Sequence, residues 1–584
     1  MSWNGPIAGG SNTYFGNPYS NFYELEQSFD YVTNWTLTHG SHALKWGADL
    51  RPHVKLQRID KSLRGAMAFN NAASALGGAT GNTGLGFATF LLGIPQSFSR
   101  GYYLQLPIEF QDRDGLYVQD EWRILPNLTL TLGLRWEYYS PTYSDGSGRE
   151  VNFNFATSAM NFASVGPINK FAGVQPDYHD FAPRLGLAWS INPKTVFRIG
   201  YGRSFAINTG GANFGTYCCQ WPIGSQQSIA APTLYTGVFP LEQGPPSGQS
   251  TNGVTIPSSG ALMTADGQTV YGRPAGDKTT VQDAWNATIQ RQISSTFTAE
   301  FSYVGSNIRH AFLDVNLNAP LPGPGSLPSQ ELYGILYGYQ NAQMHQRGNV
   351  GTSDYHSFQT RLDKRFAGGY QFTGAFTFQK TIADNYTDPF NRSLYRGPTS
   401  TPGWWLVLSH VWELPFGPGH QLGQNARGVT RALIAGWEFT GVTQIQDGAF
   451  LTPSMNANTL NTNYAQLPDR TGSGHVSDPS ANLWFNPSAF AVPAVYAFGN
   501  TGTGILHGPG QFIADLGLNK SFSFKSPVNE NTRLVFRWEA FNALNHPNLA
   551  NPTLTIDAPS TQVGHIFDVQ GTMRRMQVGI HLYF

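Results

Sequence analysis

The sequence predicts an all-β chain: a transmembrane antiparallel outer-membrane β-barrel with long extracellular loops and short periplasmic turns. Three observations carry this. Apolar and polar residues alternate strictly in segments of about ten residues, the period at which a strand puts successive side chains on opposite faces. The links between these segments alternate between short and long. No apolar run approaches the roughly 18 residues that a spanning helix needs; the longest, Phe87–Ile94 and Ala432–Trp437, fall far short.

The strands follow in order. Phe29–Leu37 comes first, then residues 43–57, where Leu44, Trp46, Ala48, Leu50, Pro52, Val54 and Leu56 oppose Lys45, Gly47, Asp49, Arg51, His53, Lys55 and Gln57. Leu116–Ile124 precedes residues 128–139, where Leu128, Leu130, Leu132, Leu134, Trp136 and Tyr138 oppose Thr129, Thr131, Gly133, Arg135, Glu137 and Tyr139. Stripes continue through Leu185–Ile191, Thr195–Tyr201, Val281–Ile289, Phe297–Tyr303, Phe358–Leu362, Tyr370–Phe378, Leu406–Leu414, Trp437–Ile445, Phe512–Leu518 and Leu534–Ala540. In the last strand Met576, Val578, Ile580, Leu582 and Phe584 alternate with Arg575, Gln577, Gly579, His581 and Tyr583. About fifteen strands result, too many for an ordinary sheet. Helical periodicity is weak, with one short turn at Phe87–Leu92.

Short links fall near Thr38–His42, Leu125–Asn127, Asn192–Lys194, Gln292–Ser295, Ala367–Gly369 and Lys525–Asn531, with a longer one from Pro415 to about Thr430. Long links occupy roughly 58–108, 141–180, 206–279, 306–353, 381–403, 447–510 and 544–572. Antiparallel strands place successive links at opposite ends, so the tight turns share one rim and the long loops the other. Counting back from a periplasmic C-terminus makes the first strand run inward, like the last. A closed barrel with both ends periplasmic starts with an outward strand, so an odd number of strands is expected to be missing. Residues 1–24 then read as the remnant of an extracellular loop and 25–584 as the partial barrel. A strongly curved, C-shaped sheet with unpaired edges near 25–38 and 574–584 is expected. The opening Met1-Ser2-Trp3-Asn4-Gly5 is no signal peptide, so the natural N-terminal part is expected upstream.

Composition agrees. Charged residues are 12%, with 36 Lys+Arg against 36 Asp+Glu, which gives no electrostatic reason to expect nucleic acid. Aromatics are 14%, alongside 65 Gly and 37 Pro, the mix that aromatic strands and long loops produce. The two cysteines are adjacent, Cys218-Cys219, which excludes a disulfide scaffold and suits two free thiols better than a strained vicinal bridge.

Chemistry in the chain is sparse. No catalytic constellation is present, so the chain reads as no enzyme, and nothing calls for a cofactor or metal. Gly200-Tyr201-Gly202 lies within a strand rather than a phosphate loop. His39 and His42 flank a turn and read as solvated turn residues, not metal ligands. Asn34-Trp35-Thr36 matches a glycosylation sequon inside a membrane strand and reads as noise. Lys45, Asp49, Arg51, Arg135, Glu137, Arg198, Arg361, Arg537 and Glu539 fall on the polar face, where they would line the lumen. Loop aromatics Trp221, Tyr235, Tyr271, Trp404 and Trp484 could stack on a ligand, though rim anchoring and loop packing weigh more.

Several segments resemble the C-terminal barrel of TonB-dependent receptors, in particular the Oar-like branch with a carboxypeptidase-regulatory-like N-terminal domain. They are Asp114-Gly115-Leu116-Tyr117-Val118-Gln119-Asp120-Glu121-Trp122 with the Leu128–Tyr138 strand, and Phe181-Ala182-Pro183-Arg184-Leu185-Gly186. Glu413-Leu414-Pro415-Phe416-Gly417 and Trp484-Phe485-Asn486-Pro487-Ser488-Ala489-Phe490 follow. The last is Phe536-Arg537-Trp538-Glu539-Ala540-Phe541-Asn542-Ala543-Leu544-Asn545-His546-Pro547. The resemblance covers the chain from about residue 25 and implies 22 strands, so about seven would be missing. The chain departs from the family in lacking plug, TonB box and signal peptide. It implies uptake of a scarce nutrient, such as a metal chelate or glycan fragment, from an extracellular ligand pool, driven by the TonB system through the missing N-terminal part. A passive porin-like channel and a surface adhesion or export-associated barrel are the alternatives. The ending on Val578, Ile580, Leu582 and Phe584 resembles the signal read by the barrel assembly machinery, outer-membrane lipid being the other expected partner.

Overall fold

The computed structural model describes every residue except 1, 4–12, 15–22, 59–64, 76–83, 104–107, 207–219, 234–235, 246–254, 264–268, 340–342, 385–387 and 526–531. Most of the expected N-terminal loop remnant, Cys218-Cys219, Tyr235 and most of the Lys525–Asn531 turn lie outside the described residues.

Fifteen strands form one antiparallel wall in sequence order. They are β1 Tyr31–His39, β2 His42–Arg58, β3 Ile108–Leu125, β4 Leu128–Tyr139, β5 Asp180–Asn192, β6 Thr195–Ala206, β7 Thr280–Gln292 and β8 Phe297–Asn316. The wall continues with β9 Met344–Ala367, β10 Tyr370–Asp384, β11 Trp404–Glu413, β12 Trp437–Gln446, β13 Gln511–Phe524, β14 Thr532–Phe541 and β15 Arg575–Tyr583. Each pairs with its neighbours in sequence. A short strand, Tyr23–Ser28, continues β1 along the upper half of β2. The tight links are Gly40-Ser41, Pro126-Asn127, Pro193-Lys194, 293–296 and Gly368-Gly369. At the first and last of these, Gly40, Gly368 and Gly369 take positive φ of 58°, 63° and 77°, which a turn this tight between strands requires.

Register follows the alternation. Opposite residues of an antiparallel pair share a face, so Trp46, Val118, Leu134 and Pro183 form one row across β2–β5, while Gly47, Tyr117, Arg135 and Ala182 form the row behind it. The first row is apolar and faces lipid; the second faces the lumen. The wall is open: β15 is paired only with β14, and β1 only with β2, among the described residues. Every residue of β1 is exposed, as is nearly all of β15.

Two expectations need correction. Phe297–Tyr303 and Phe358–Leu362 are only the membrane-level parts of strands of 20 and 24 residues, because their upper halves stand above the apolar band and lose the alternation that marks a strand facing lipid. The link after β11 carries a helix, Gly428–Ile434, and an extracellular loop carries another, Leu332–Tyr337; both are too short to show a period. The short helical turn expected at Phe87–Leu92 is present as a helix over Gly86–Leu91. Among the described residues no helix is long and apolar enough to cross a membrane.

Candidate functional site

The lumen face and the extracellular loops hold much of the polar chemistry of the described residues. All nine predicted lumen charges lie on the inner face, but only four come together. Asp49 receives Arg51 Nε at 2.6 Å and Arg135 Nη2 at 3.4 Å, while Arg135 Nε donates to Glu137 Oε1 at 2.6 Å. The motif glycine explains the assembly. Asp49, Gly115 and Glu137 face one another across β2–β4, and a Cβ at Gly115 would run into the Arg135 guanidinium. One row down, Gly47 leaves room for the Tyr117 ring, whose hydroxyl donates to Asn34 Oδ1 at 2.6 Å. The remaining charges sit apart: Arg198 on Gln290 at 3.2 Å, Arg361 forked onto Asp363 at 2.6 and 3.2 Å, Arg537 3.5 Å from the Tyr583 hydroxyl, and Glu539 on Gln577 at 2.6 Å. Lys45 lies on the same face, opposite Thr36 and Gln119. Most of these charges are thus held by polar neighbours on the wall itself.

His42 lies on the outer face at the periplasmic rim. Its Nδ1 is 2.6 Å from Asp120 Oδ2 and its ring stacks on Trp122 at 5.3 Å. Asn34 lies within β1, as the sequon reading expected.

The extracellular loops are where sequence reasoning missed most. Among the described residues they pack around two apolar cores of their own. The first buries Val151, Phe153, Met160, Phe162, Val270 and Met344, with Trp221 packed against it. Polar side chains stitch it. Gln220, 1% exposed, donates from Nε2 to the carbonyls of Val151 and Tyr271 and accepts from the Tyr271 amide. Asn152 exchanges two hydrogen bonds with the Arg273 backbone, and Arg273 forks onto Asp277. The signal that could have found this core was the alternating run Val151-Asn152-Phe153-Asn154-Phe155, too brief to register as a strand.

Phe485, Ala489, Phe490, Leu451, Leu506 and Val563 build the second core. The Trp484–Phe490 motif is thus a packing device: Asn486 caps the short helix Pro487–Ala489 through the Ser488 amide at 3.1 Å, and Trp484 Nε1 donates to the His507 carbonyl at 2.7 Å. In the motif after β14, Asn542 at φ 47° receives the His546 amide and donates to the carbonyls of His546 and Thr572, tying that loop to the approach of β15. Tyr271 carries Arg347 over its ring at 4.3 Å. Trp404 is not a loop residue: it opens β11, on the lipid side beside Phe376.

Glu150 is buried at the edge of the first core, where its Oε1 accepts from Thr142 Oγ1 at 2.8 Å. Burial pushes its carboxyl from 4.5 up to about 7, against the pull of Thr142 and Arg273. A value raised on folding means that the folded form holds the proton more tightly. Its contribution is therefore complete below about pH 4.5 and fades as pH rises to about 7. Protection of residues 151–162 against hydrogen exchange, relative to the intrinsic base-catalysed rate, is expected to fall over that window in the native protein and to stay level in Glu150→Gln. An unchanged profile in the variant would contradict the assignment.

The sequence model of the outer membrane beta barrel domain matches residues 4–577. The chain belongs to the outer membrane β-barrel domain family. Its place is the cell outer membrane, in keeping with the lipid-facing register of the wall. No curated protein sequence matches it. Solved structures of similar fold include the outer membrane transporter YddB from Escherichia coli, at 12% identity and TM-score 0.45, over 96% of this chain and 54% of that one. A point mutant of the ferric enterobactin receptor PfeA from Pseudomonas aeruginosa is similar at 11% identity and TM-score 0.42, over 96% and 54%. The siderophore receptor PirA from the same organism matches at 10% and 0.38, over 90% and 55%. The barrel chain spans about half the length of these structures.

Proposed function

We propose that the chain is the larger part of the wall of a TonB-dependent receptor, with residues 25–584 as wall and loops and 1–24 as the end of an extracellular loop. One observation carries this reading: the wall ends in two edges that run the same way. Both β1 and β15 run toward the periplasmic rim, so direct closure would create a parallel seam. Antiparallel closure takes an odd number of further strands, and about seven would give the 22-strand size at which such barrels hold a plug. In this proposal the rest of the protein supplies those strands, the plug and the contact with TonB. The lumen network around Asp49 and Arg135 faces the plug, and the cored loops capture a scarce nutrient such as a metal chelate or glycan fragment. The Oar-like affiliation belongs to the same proposal and rests on the motifs of Phe536–Pro547 and Trp484–Phe490.

Uptake by cells carrying the natural full-length protein tests it. Accumulation of a nutrient that stops when the proton-motive force is collapsed supports energised import. Uptake that persists, together with a large open conductance in planar bilayers, would instead make the barrel a passive channel.

Val578, Ile580, Leu582 and Phe584 all face outward or beyond the strand end and are 54–78% exposed. We assign them to recognition by the barrel assembly machinery. Deleting Phe584 is expected to lower surface-localised protein sharply while leaving detergent refolding nearly normal. Normal surface levels would reduce the stripe to lipid contact.

A further inference from the structure

We propose that the outer face of β5–β8 binds a phosphorylated glycolipid of the outer leaflet, one acyl chain lying in an apolar groove and the phosphate held by Arg203 and Arg309. The observation behind it is a charged cluster on the side of the wall that faces lipid. Arg203, Asp283 and Asn307 stand in one cross-strand row, two positions above Tyr201, Trp285 and Gly305, which share their face. That face takes in Leu185 beside Tyr201 and continues down through Ile199 and Leu187, so these charges point away from the lumen.

Their depth is that of a headgroup. On β7 the outward positions run Arg291, Ile289, Ala287, Trp285, Asp283. The eight residue steps from Arg291 to Asp283 cover about 26 Å of strand, or about 20 Å along the membrane normal at a tilt of about 40°. Asp283 therefore sits at the extracellular edge of the apolar band.

The cluster is built, and it leaves cation to spare. Arg203 donates from Nε and Nη2 to the two Asp283 oxygens at 2.8 and 3.2 Å, Arg309 Nη2 reaches Oδ2 at 2.5 Å, and the Tyr201 hydroxyl donates to Oδ1 at 2.6 Å. Two guanidiniums share one carboxylate, so the group carries net positive charge. Asp283 is 12% exposed while Arg203 and Arg309 are 33% and 47% exposed, so the unspent N–H groups are the ones outside reaches. Planar forks of this kind match phosphate oxygens. On the next strand the same row continues with balanced charge: Asp354 lies opposite Asn307, accepts from its Nδ2 at 2.6 Å and is neutralised by Arg396, as Asp384 is by Arg392. Toward the extracellular ends of β3 and β4 the outward residues are Asp112, Asp114 and Tyr138 instead.

Directly below the cluster lies a groove of about 520 Å³, walled by Leu185, Ile199, Tyr201, Trp285, Ala287 and Tyr303. Its floor is low because Ala287 is small, and Trp285 lies across Gly305, where a Cβ would come 2.5 Å from the indole nitrogen. An acyl chain entering from the headgroup level fills this groove. Carboxylate, amide and phenol groups interleaved with the guanidiniums suit sugar hydroxyls beside phosphate, which favours a glycolipid over a simple phospholipid.

The test uses full-length protein purified from outer membranes, with lipid A, dephosphorylated lipid A and phosphatidylglycerol as probes in mixed micelles, read by native mass spectrometry. Lipid A is expected to bind at least about tenfold more tightly than either other lipid. Arg203→Gln with Arg309→Gln should remove that preference, and Ala287→Leu should weaken all lipid adducts by filling the groove. Arg361→Gln, on the lumen face, should change nothing. Unaltered lipid A binding in the double variant, or equal binding of phosphatidylglycerol by the native protein, overturns the proposal.

Discussion

Leu134→Arg is expected to cost the folded barrel about 2–4 kcal/mol, the penalty for an arginine on the lipid face near mid-membrane. Leu134 faces Val118 and Pro183 across its two ladders, with no polar group in its row. Register alone placed Leu132 and Leu134 toward lipid and Thr131 and Arg135 toward the lumen, and on that basis Leu132→Arg should be far worse than Thr131→Arg. Cross-strand pairing refines the comparison. Leu132 lies opposite Asp120, so an arginine there gains a carboxylate and its cost should fall below that of Leu134→Arg. Thr131 lies opposite Glu121 on the lumen side, and an arginine there should be nearly neutral. Heat-modifiability gels rank the three folded fractions. Equal losses for Leu134→Arg and Thr131→Arg would sink the register.

Phe485→Ala should cost about 3–5 kcal/mol, and the loss should stay in the loops. Phe485 is 2% exposed and packs edge-on to Phe490 at 5.8 Å, inside a core that also takes Leu451, Leu506 and Val563. Truncation removes a buried ring and leaves a cavity that loop backbone collapses into only partly. Wall strands keep their own ladders, so hydrogen exchange should quicken across residues 447–510 and 542–574 while β12–β14 stay protected. Uniform quickening of wall and loops would show that the loop core supports the barrel; no change would show that it supports nothing.

Residue alternation made the wall legible to a degree that the loops were not. Leu128–Tyr138 against Thr129–Tyr139 could be assigned a face residue by residue, because lipid on one side and water on the other impose a two-residue period along the whole strand. Above the membrane that contrast ends. The upper halves of β8 and β9, water on both sides, showed no period and went unseen. The loop cores went unseen for a related reason: Phe153, Met344 and Val270 are brought together from distant segments, and no local pattern marks which apolar loop residues will meet. Family motifs pointed to the right places without saying why. Gly115 serves by having no side chain in the path of Arg135, and Phe485 and Phe490 serve by filling a loop interior.

By itself the sequence determined the number of wall strands, the face of the residues in each membrane-level stripe, the segregation of turns from loops and the two same-way edges, all consequences of lipid on one side of a single layer and water on the other. Tertiary structure alone decided which charges meet. Asp49 collects Arg51 and Arg135 while Arg198 and Arg361 stand apart, and Asp283 faces lipid with Arg203 and Arg309 around it, because ion pairing depends on cross-strand register between segments up to 86 residues apart, and register is fixed by ladders that no single strand contains.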